Sequence, residues 1–360
     1  MKPRPSAASL ASVAGLARMG LAARHFLAPD HCAPALDVRA IVPARNEGAT
    51  IAACVASLLA QCTEVVVVDD HSSDGTGQAA AAAGATVVSL DDEPAAGWLG
   101  KPRACLAGAE GASSEWLAFV DADVVVDPVA LATMAAATRA TSTSIAGGLD
   151  CRSFWERLLL VELGLALVQE GLPRHFASGQ CLLVRRRAYE AVGGHGHPDV
   201  RASVVDDRDL ARILGGHDAR LAPRLMRARM YRGLGDLRAG LVKNQAALHP
   251  RPLRHLVALL APVASRRPWA AVVVSAGGRA VAGQNPLYGL LAPLARVGLA
   301  GLYLESRWRS RTGRPVTWKG RPIVLGRDSR RLPARFAPGK RGGGGGVPGR
   351  QRSGVVETSS

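Results

Sequence analysis

Aromatic residues are scarce in this chain of 360 residues, since Phe, Trp and Tyr together make up 4% of it. Proteins that bind single-stranded nucleic acids stack bases on aromatic side chains, so this scarcity disfavours an open nucleic-acid platform. A formal net charge of +16 nevertheless indicates a polyanionic partner. Nucleic acid, an anionic membrane and a phosphorylated substrate all satisfy that charge, and charge alone does not choose among them.

Paired cysteine motifs are also missing. The six cysteines are scattered, no C-x-x-C spacing occurs among them, and no secretory leader precedes them. We therefore expect reduced thiols in a cytosolic domain rather than disulfides or a zinc site. The residues concerned are Cys32, Cys54, Cys62, Cys105, Cys151 and Cys181.

Long apolar runs of membrane-spanning length are few. Residues 9–27 are interrupted by charges, and we interpret residues 1–36 as an amphipathic N-terminal lead. Residues 246–330 combine apolar segments with arginines, which predicts a membrane-associated region. Within it only residues 286–304 approach spanning length, and they include Arg296. Residues 331–360 are predicted to be a disordered, basic, glycine-rich tail.

Much of the excess positive charge lies in the last sixth of the chain, beyond residue 306. Few acidic residues are interspersed there. We interpret this placement as a surface-binding or solvated flank rather than a charged catalytic groove. It also argues against a basic nucleic-acid-binding protein, in which lysines and aromatics should be interleaved over the core.

Short apolar runs alternate with alanine-rich segments from residue 38 onward. Strands are predicted over residues 38–42, 64–68, 86–90 and 116–120, with helices over about 50–61 and 77–83. Strand, helix, strand at this spacing indicates an α/β domain over residues 37–245, with a mostly parallel sheet flanked by helices. Such sheets bind ligands at the carboxyl ends of their strands, where polar clusters occur here.

Asp121 and Asp123 follow the predicted strand over residues 116–120. Two carboxylates at one turn can hold a divalent cation, which neutralises the diphosphate leaving group of a nucleotide sugar. A D-x-D pair alone is common in solvated loops. Its position between a buried strand and residues 124–126, all valine, favours the metal site.

Asp70 follows the predicted strand over residues 64–68, and its carboxylate can accept a hydrogen bond from a uracil imide. Asp69 and Asp74 fit turn or capping positions better. Ala44 and Glu47 occupy the equivalent place after the first strand. Glu47 can contact base or ribose, or act as a charge at a helix N-terminus.

Lys101 follows a glycine-rich turn just before a predicted helix, where its ammonium suits a diphosphate or a sugar hydroxyl. A solvated lysine is the alternative. Arg232, Arg238 and Lys243 could face the diphosphate from the other side, although each alone is more often a surface charge.

Asp206 and Asp207 follow a loop after Gly193 and Gly194 and lead into an amphipathic helix. An inverting transfer needs a base that deprotonates the acceptor, a contribution of about 10²–10⁴ in rate. Asp207 is our candidate for that catalytic base. Without further context both carboxylates would be capping and first-turn residues, and we expect Asp206 to cap the helix.

These motifs, in this order, resemble the family 2 glycosyltransferases. The resemblance covers residues 38–244 and rests on segments 41–47, 67–76, 119–123, 188–194 and 205–207. Residues 97–105, 230–232 and 240–244 look like the branch that glycosylates carotenoid acids and related polyprenoid lipids, and hopanoid-associated enzymes are close neighbours. Residues 318–321 resemble a segment that follows the terminal membrane helices of that branch.

The resemblance implies a GT-A fold with C-terminal apolar helices, a UDP-sugar donor and an inverting transfer of a sugar to a lipid-like acceptor. It implies Mg²⁺ or Mn²⁺ at Asp121 and Asp123, uracil contact at Asp70 and Asp207 as base. The Q-x-x-R-W motif of processive synthases is absent, so a single sugar is expected. The expected location is the cytoplasmic face of the cell membrane, at an anionic surface, without nucleic acid.

Two alternatives follow from the same residues. A GT-A-like nucleotidyltransferase would need a glycine-rich phosphate loop directly after the first strand, where residues 43–47 contain no glycine. A non-catalytic basic binding protein would release no UDP, so an assay of UDP release separates it from an enzyme.

Overall fold

The structure is a computed structural model that describes residues 36–170, 176–265, 268–325 and 335–336. The N-terminal lead up to residue 35 and most of the predicted tail lie outside these ranges. Within the tail, Arg335–Phe336 forms a two-residue strand.

Seven strands form the central sheet, in the order β3-β2-β1-β4-β8-β6-β9. The β1, β2, β3 and β4 strands pair in parallel, as do β6 and β9, while β8 runs antiparallel to β4 and β6. The predicted α/β class with a mostly parallel sheet is therefore confirmed. The strands are β1 (Val38–Ala44), β2 (Glu64–Asp69), β3 (Thr86–Ser89), β4 (Trp116–Val120), β6 (Ser142–Ala146), β8 (Cys181–Arg185) and β9 (His217–Leu221).

Helices cover both faces of this sheet. The predicted segments near residues 50–61 and 77–83 form α1 and α2. Gly193, two residues after the helix over Arg186–Ala191, is a left-handed residue with φ of 75°, as is typical where a helix ends. The helices of the sheet domain are α1 (Ile51–Leu59), α2 (Thr76–Ala82), α3 (Gly100–Ala109), α4 (Ala130–Ala137), α5 (Phe154–Glu170), α6 (Arg186–Ala191), α7 (Pro198–Arg201) and α8 (Asp206–Leu214).

The apolar core lies on both sides of the sheet, which explains the continuous apolar runs in its strands. In β4, Ala118 and Val120 pack into the cluster on one face, and Leu117 and Phe119 pack into the cluster on the other. A buried sheet of this kind holds its strand ends rigidly, so the loops after β1, β2 and β4 start from fixed positions.

Two small sheets were not predicted. β5 (Val124–Val126) pairs with β10 (Met226–Ala228), which also pairs with β7 (Gly148–Leu149). β11 (Pro315–Trp318) and β12 (Arg321–Val324) form an antiparallel hairpin, and β13 (Arg335–Phe336) adds to its edge.

Apolar helices follow the sheet domain, as expected. They are α9 (Leu234–Leu248), α10 (Pro252–Ala264), α11 (Pro268–Val281) and α12 (Ala292–Thr312), with a 3₁₀ turn over Pro286–Leu291. In the described part of the chain, one stretch, Pro286–Thr312, has the length and hydropathy of a membrane-crossing helix. The α10 and α11 helices meet that test only as a pair, and they are bent by 111°.

The inner face of α12 packs on the protein. Arg296 is fully buried there, and its Nε lies 2.7 Å from Oε1 of Glu162 on α5. The outer surface of these helices carries exposed apolar side chains, among them Leu253, Leu287 and Leu290. The C-terminal region is thus attached to the sheet domain on one side and apolar on the other.

Candidate active site

A cavity of about 1010 Å³ opens at the carboxyl ends of β1, β2 and β4. Parallel strands end at the same edge of a sheet, so the polar loops that follow them are brought together. The main candidates for binding and catalysis line this cavity, whereas Arg232 and Arg238, which were also considered for the diphosphate, do not. The lining candidates are Ala44, Glu47, Asp70, Lys101, Asp121, Asp123 and Asp207.

Asp121 and Asp123 lie on the tight turn between β4 and β5, where the amide of Val124 donates to the Asp121 carbonyl at 3.1 Å. Burial raises the pKa of Asp123 to about 7, and the charges of Asp121 and Glu47 add to that effect. Crowded carboxylates of this kind are stabilised by a cation. The oxygen ligands therefore fit a hard divalent ion such as Mg²⁺ or Mn²⁺.

Lys101 lies in the first turn of α3, and its Nζ is 2.7 Å from Oδ1 of Asp121. Burial opposes the charged form, but the carboxylates of Asp121, Asp206 and Asp207 outweigh it and raise the pKa of Lys101 well above its usual value. The ammonium is therefore a permanent cation between two acidic groups. One is the turn over residues 121–123, called here the metal-site turn, and the other is the pair Asp206 and Asp207 at the start of α8.

Gly179, just before β8, faces the point where these groups converge. A Cβ atom there would lie 3.0 Å from Nζ of Lys101, 3.3 Å from Oδ2 of Asp121 and 3.5 Å from Oδ2 of Asp207. The glycine leaves room for the three side chains to approach one another. They originate in three different elements that are far apart in the chain.

Asp207 is in the first turn of α8. Burial raises its pKa to about 7, and the negative charge of Asp206 raises it further than burial alone would. A carboxyl group with this pKa can accept a proton near neutral pH.

Asp206 does not cap α8 as expected, because the helix begins without a side-chain cap. It is buried instead, with Oδ2 at 3.5 Å from Nε2 of His195, whose Nδ1 lies 3.0 Å from the Tyr189 hydroxyl. Burial lowers the pKa of His195, so the imidazole is neutral near pH 7. Although burial opposes it, the charge of Lys101 and the contact with His195 lower the pKa of Asp206. Asp206 is thus a fixed negative charge beside Asp207.

Asp70 is buried at the end of β2 and is held by Arg321 of the β11–β12 hairpin. Nη1 of Arg321 donates to Oδ2 at 2.6 Å and Nη2 donates to Oδ1 at 3.2 Å, while Nδ1 of His71 is 3.1 Å from Oδ1. Burial would raise the pKa of Asp70, but Arg321 outweighs it and lowers that pKa. A carboxylate has about four acceptor sites, so one stays available for a ligand donor.

Glu47 also holds a cation from the hairpin, since Nζ of Lys319 lies 2.6 Å from its Oε1. This corrects the interpretation of the late basic residues as a flank alone. Arg321 and Lys319 belong to that run, and both line the cavity. Asp70 and Glu47, which they contact, belong to the first 70 residues of the chain, a relationship that local sequence patterns do not reveal.

The remaining predicted residues lie in turns, in the cavity or on the surface. Asp69 accepts from the Ser72 amide at 3.0 Å, and Asp74 accepts from the Thr76 amide at 3.2 Å, so both have the turn roles expected of them. Lys243 lines the cavity. Arg238 instead forms a surface ion pair with Glu305 at 2.6 Å.

Sequence reasoning missed Gly179, His195 and Arg321. For Gly179 the sequence offered only a weak signal, namely a glycine directly before an apolar run. His195 directly follows Gly193 and Gly194, which were used only to place the loop before Asp206 and Asp207. Lys319 and Arg321 were noted as part of a recognisable segment, but nothing in their spacing indicated contact with the β1 and β2 loops.

Residues 40–193 match the profile of the family "Glycosyl transferase family 2". The predicted resemblance to that family is confirmed. An 86-residue segment is 42% identical to 4,4'-diaponeurosporenoate glycosyltransferase of Staphylococcus aureus, for example in strain USA300. The match spans 23% of this chain and 23% of that relative's length.

Solved structures of glucosyl-3-phosphoglycerate synthase from Mycobacterium tuberculosis are also similar. One, in complex with phosphoglyceric acid, is 18% identical, with a TM-score of 0.40, over 79% of this chain and 86% of that one. Another, in complex with Mn²⁺ and UDP-glucose, is 19% identical, with a TM-score of 0.39, over 68% of this chain and 82% of that one.

Proposed function

We propose that this chain, in which residues 40–193 are a family 2 glycosyltransferase domain, transfers a single sugar from a UDP-sugar to a lipid-like acceptor with inversion at the anomeric carbon. The acceptor group is a hydroxyl or a carboxyl. Polyprenoid, carotenoid and hopanoid lipids are the candidate acceptor classes.

The convergence of Lys101, Asp121 and Asp207 on the position of Gly179 carries this proposal. One cavity thereby contains a carboxylate site for a divalent ion, an ammonium beside it and a partly buried carboxyl group of raised pKa. A transfer from a nucleotide diphosphate sugar needs these three functions within the length of one sugar.

In this proposal the metal-site turn and α3 stabilise the leaving group. A divalent ion held by Asp121 and Asp123 would neutralise charge on the departing diphosphate. Lys101 is a permanent cation at the same turn, and its ammonium can donate to a phosphate oxygen that approaches Asp121. Gly100 at the start of α3 allows the backbone to approach closely, because a Cβ there would collide with the Asp70–Arg321 pair.

In this proposal Asp207 activates the acceptor. Its carboxylate takes the acceptor proton while the acceptor oxygen attacks the anomeric carbon and the bond from that carbon to the diphosphate oxygen breaks. Asp206 keeps its own charge through Lys101 and His195, and so raises the basicity of its neighbour. One direct displacement converts an α-linked donor into a β-linked product.

The apolar surface of α10, α11 and α12 supports a lipid-like acceptor and a membrane surface. Exposed Leu253, Leu287 and Leu290 would bury apolar area in the headgroup region, while nearby arginines such as Arg251 and Arg254 favour anionic lipid. Arg251 and Arg254, which flank Leu253 closely in the chain, also line the cavity. The relative that is 42% identical over 86 residues is named a 4,4'-diaponeurosporenoate glycosyltransferase.

The test is a product analysis. Purified full-length protein is incubated with a panel of UDP-sugars, Mn²⁺ and a bacterial lipid extract, and the lipids are analysed by mass spectrometry and by NMR of the anomeric proton. We expect a lipid that has gained one β-linked sugar, together with release of UDP. A product that retains the α configuration would contradict the single displacement, and transfer of a nucleotidyl group would support the nucleotidyltransferase alternative.

A further inference from the structure

The β11–β12 hairpin brings a tight turn into the cavity. Lys319 and Gly320 join the two strands with positive φ values of 48° and 78°, a geometry that matches a two-residue hairpin turn. The base of the hairpin is anchored, since Val316 and Leu325 pack with Val242 of α9 in a small apolar cluster. The tip is therefore held at a defined place, beside the loops after β1 and β2.

The two cations at this tip are bound in different ways. Arg321 contacts both oxygens of Asp70, has a second partner in Glu93 at 2.7 Å, and its side chain is 8% exposed. Lys319 makes one ion pair, with Glu47, and its side chain is 25% exposed. The bidentate guanidinium is fixed in place, whereas the lysine can rotate to another acceptor at little cost.

Lys319 also shares the cavity with the proposed metal site. Glu47, Asp121, Asp123 and Lys319 all line it, and Nζ of Lys319 lies 2.6 Å from Oε1 of Glu47. The ammonium therefore lies in the cavity in which a diphosphate would meet Asp121 and Asp123. The backbone at Lys319 is held as well, because its carbonyl accepts from Nε of Arg45 at 3.0 Å.

The use of lysine in this chain points to the same place. Only five of its 45 basic residues are lysines. All three that fall within the described residues, Lys101, Lys243 and Lys319, line the cavity, while the other described cations are arginines. An ammonium is a compact charge with three rotatable donors, and it can follow phosphate oxygens that a planar guanidinium would meet only in fixed geometry. Five arginines also line the cavity, and among its cations the lysines are therefore the ones suited to a ligand group that changes partners.

We propose that Lys319 leaves Glu47 and binds the diphosphate of the nucleotide sugar when the donor enters, so that the β11–β12 hairpin is part of the donor site. This inference rests on the proposed function, because it takes the donor to be a UDP-sugar. Arg321 stays bound to Asp70 and fixes the hairpin. Lys319 binds phosphate oxygens, so it contributes to the binding of a nucleotide and not to that of a nucleoside without phosphates.

The test compares UDP with uridine in the full-length protein with Mn²⁺, by calorimetric titration. Lys319→Gln should weaken UDP binding by about tenfold or more, the scale of one charge-assisted hydrogen bond. Uridine binding should change by less than about twofold, because uridine has no phosphate. Arg314→Gln is the matched control: it removes an exposed cation just before β11, outside the cavity, and should alter neither affinity.

Unchanged UDP affinity in Lys319→Gln would overturn the inference. An equal loss of UDP and uridine affinity would overturn it too, since the hairpin would then only shape the cavity. If the unmodified protein binds neither ligand, the proposed donor itself is wrong. Lys319→Arg gives an independent check: it keeps the charge, so a loss of UDP affinity smaller than that of Lys319→Gln is expected.

Discussion

Asp206 and Asp207 are adjacent in the chain, yet their pKa values are shifted in opposite directions. The charge of Lys101 and the contact with His195 keep Asp206 ionised despite burial. Its charge, together with burial, raises the pKa of Asp207 to about 7. Two neighbouring carboxyl groups can therefore serve as a fixed charge and as a base, because their environments separate their titrations.

The first prediction concerns pH. Asp207 accepts a proton only when it is ionised, so kcat/KM should rise as the pH increases through about 7. Asp206→Asn removes a charge that raises this pKa, and the rising limb should then move to lower pH. Asp199→Asn, at an exposed acid of the neighbouring α7, should leave the limb in place. A wild-type rate that is constant across the acid side of the profile would contradict the assignment.

A second prediction concerns the metal site. Asp123→Asn should abolish metal-dependent transfer, because one of the two negatively charged carboxylate ligands expected to hold the cation becomes a neutral amide. UDP release is measured while Mn²⁺ is titrated into chelator-treated enzyme. Asp91→Asn, which neutralises an exposed acid before α3, is the control and should keep the wild-type response. Full activity of Asp123→Asn in chelator would rule out the proposed site.

A third prediction concerns the apolar surface of the C-terminal helices. The full-length protein should co-sediment with anionic vesicles, and a double change of Leu253 and Leu287 to Asp should weaken that binding by removing buried apolar area. Higher salt should weaken it further if the arginines contribute. Leu59→Asp, at an exposed leucine of α1 in the sheet domain, is the control. Protein that stays in the supernatant at low salt would refute membrane association.

The fourth prediction concerns stability. Glu162 is fully buried, at 2.7 Å from Arg296 and 3.5 Å from Arg279, which are buried as well. Glu162→Gln would leave two buried guanidinium groups without their carboxylate, so the free energy of unfolding should fall by about 3–5 kcal/mol. Denaturant titration measures the change. Glu305→Gln, at a surface pair with Arg238, should cost only about 0–1 kcal/mol, and an equal effect of both changes would contradict this account.

The strands that build the site were predictable because they are buried on both faces and appear as apolar runs, unbroken in β4 and over the four valines of β2, and interrupted by Arg39 in β1. The β6 and β9 strands were missed because their sequences are polar. Ser142 and Ser144 of β6 lie 2.9 Å and 3.1 Å from the ring nitrogens of His217 on β9, so these buried polar groups satisfy one another. A local pattern cannot reveal partners that are 75 residues apart.

In the candidate site, too, the features that follow from local sequence were predictable and the contacts between distant residues were not. The residues after strand ends, such as Asp70 and Asp121, could be found because a parallel sheet places its ligands there. The contacts of Lys319 and Arg321 could not, because they depend on a hairpin that returns to the cavity after 272 and 251 residues. Gly179 was missed because its importance lies in the space that it leaves for other side chains.

Asp207→Asn provides the most direct test of the central claim that Asp207 is the base of a single displacement. The base lies on the acceptor side, so its loss should spare the donor. The variant should bind UDP with an affinity within about twofold of wild type and lose about 10²-fold or more of its turnover, as expected for a general base. Turnover close to wild type at saturating UDP-sugar would contradict the assignment.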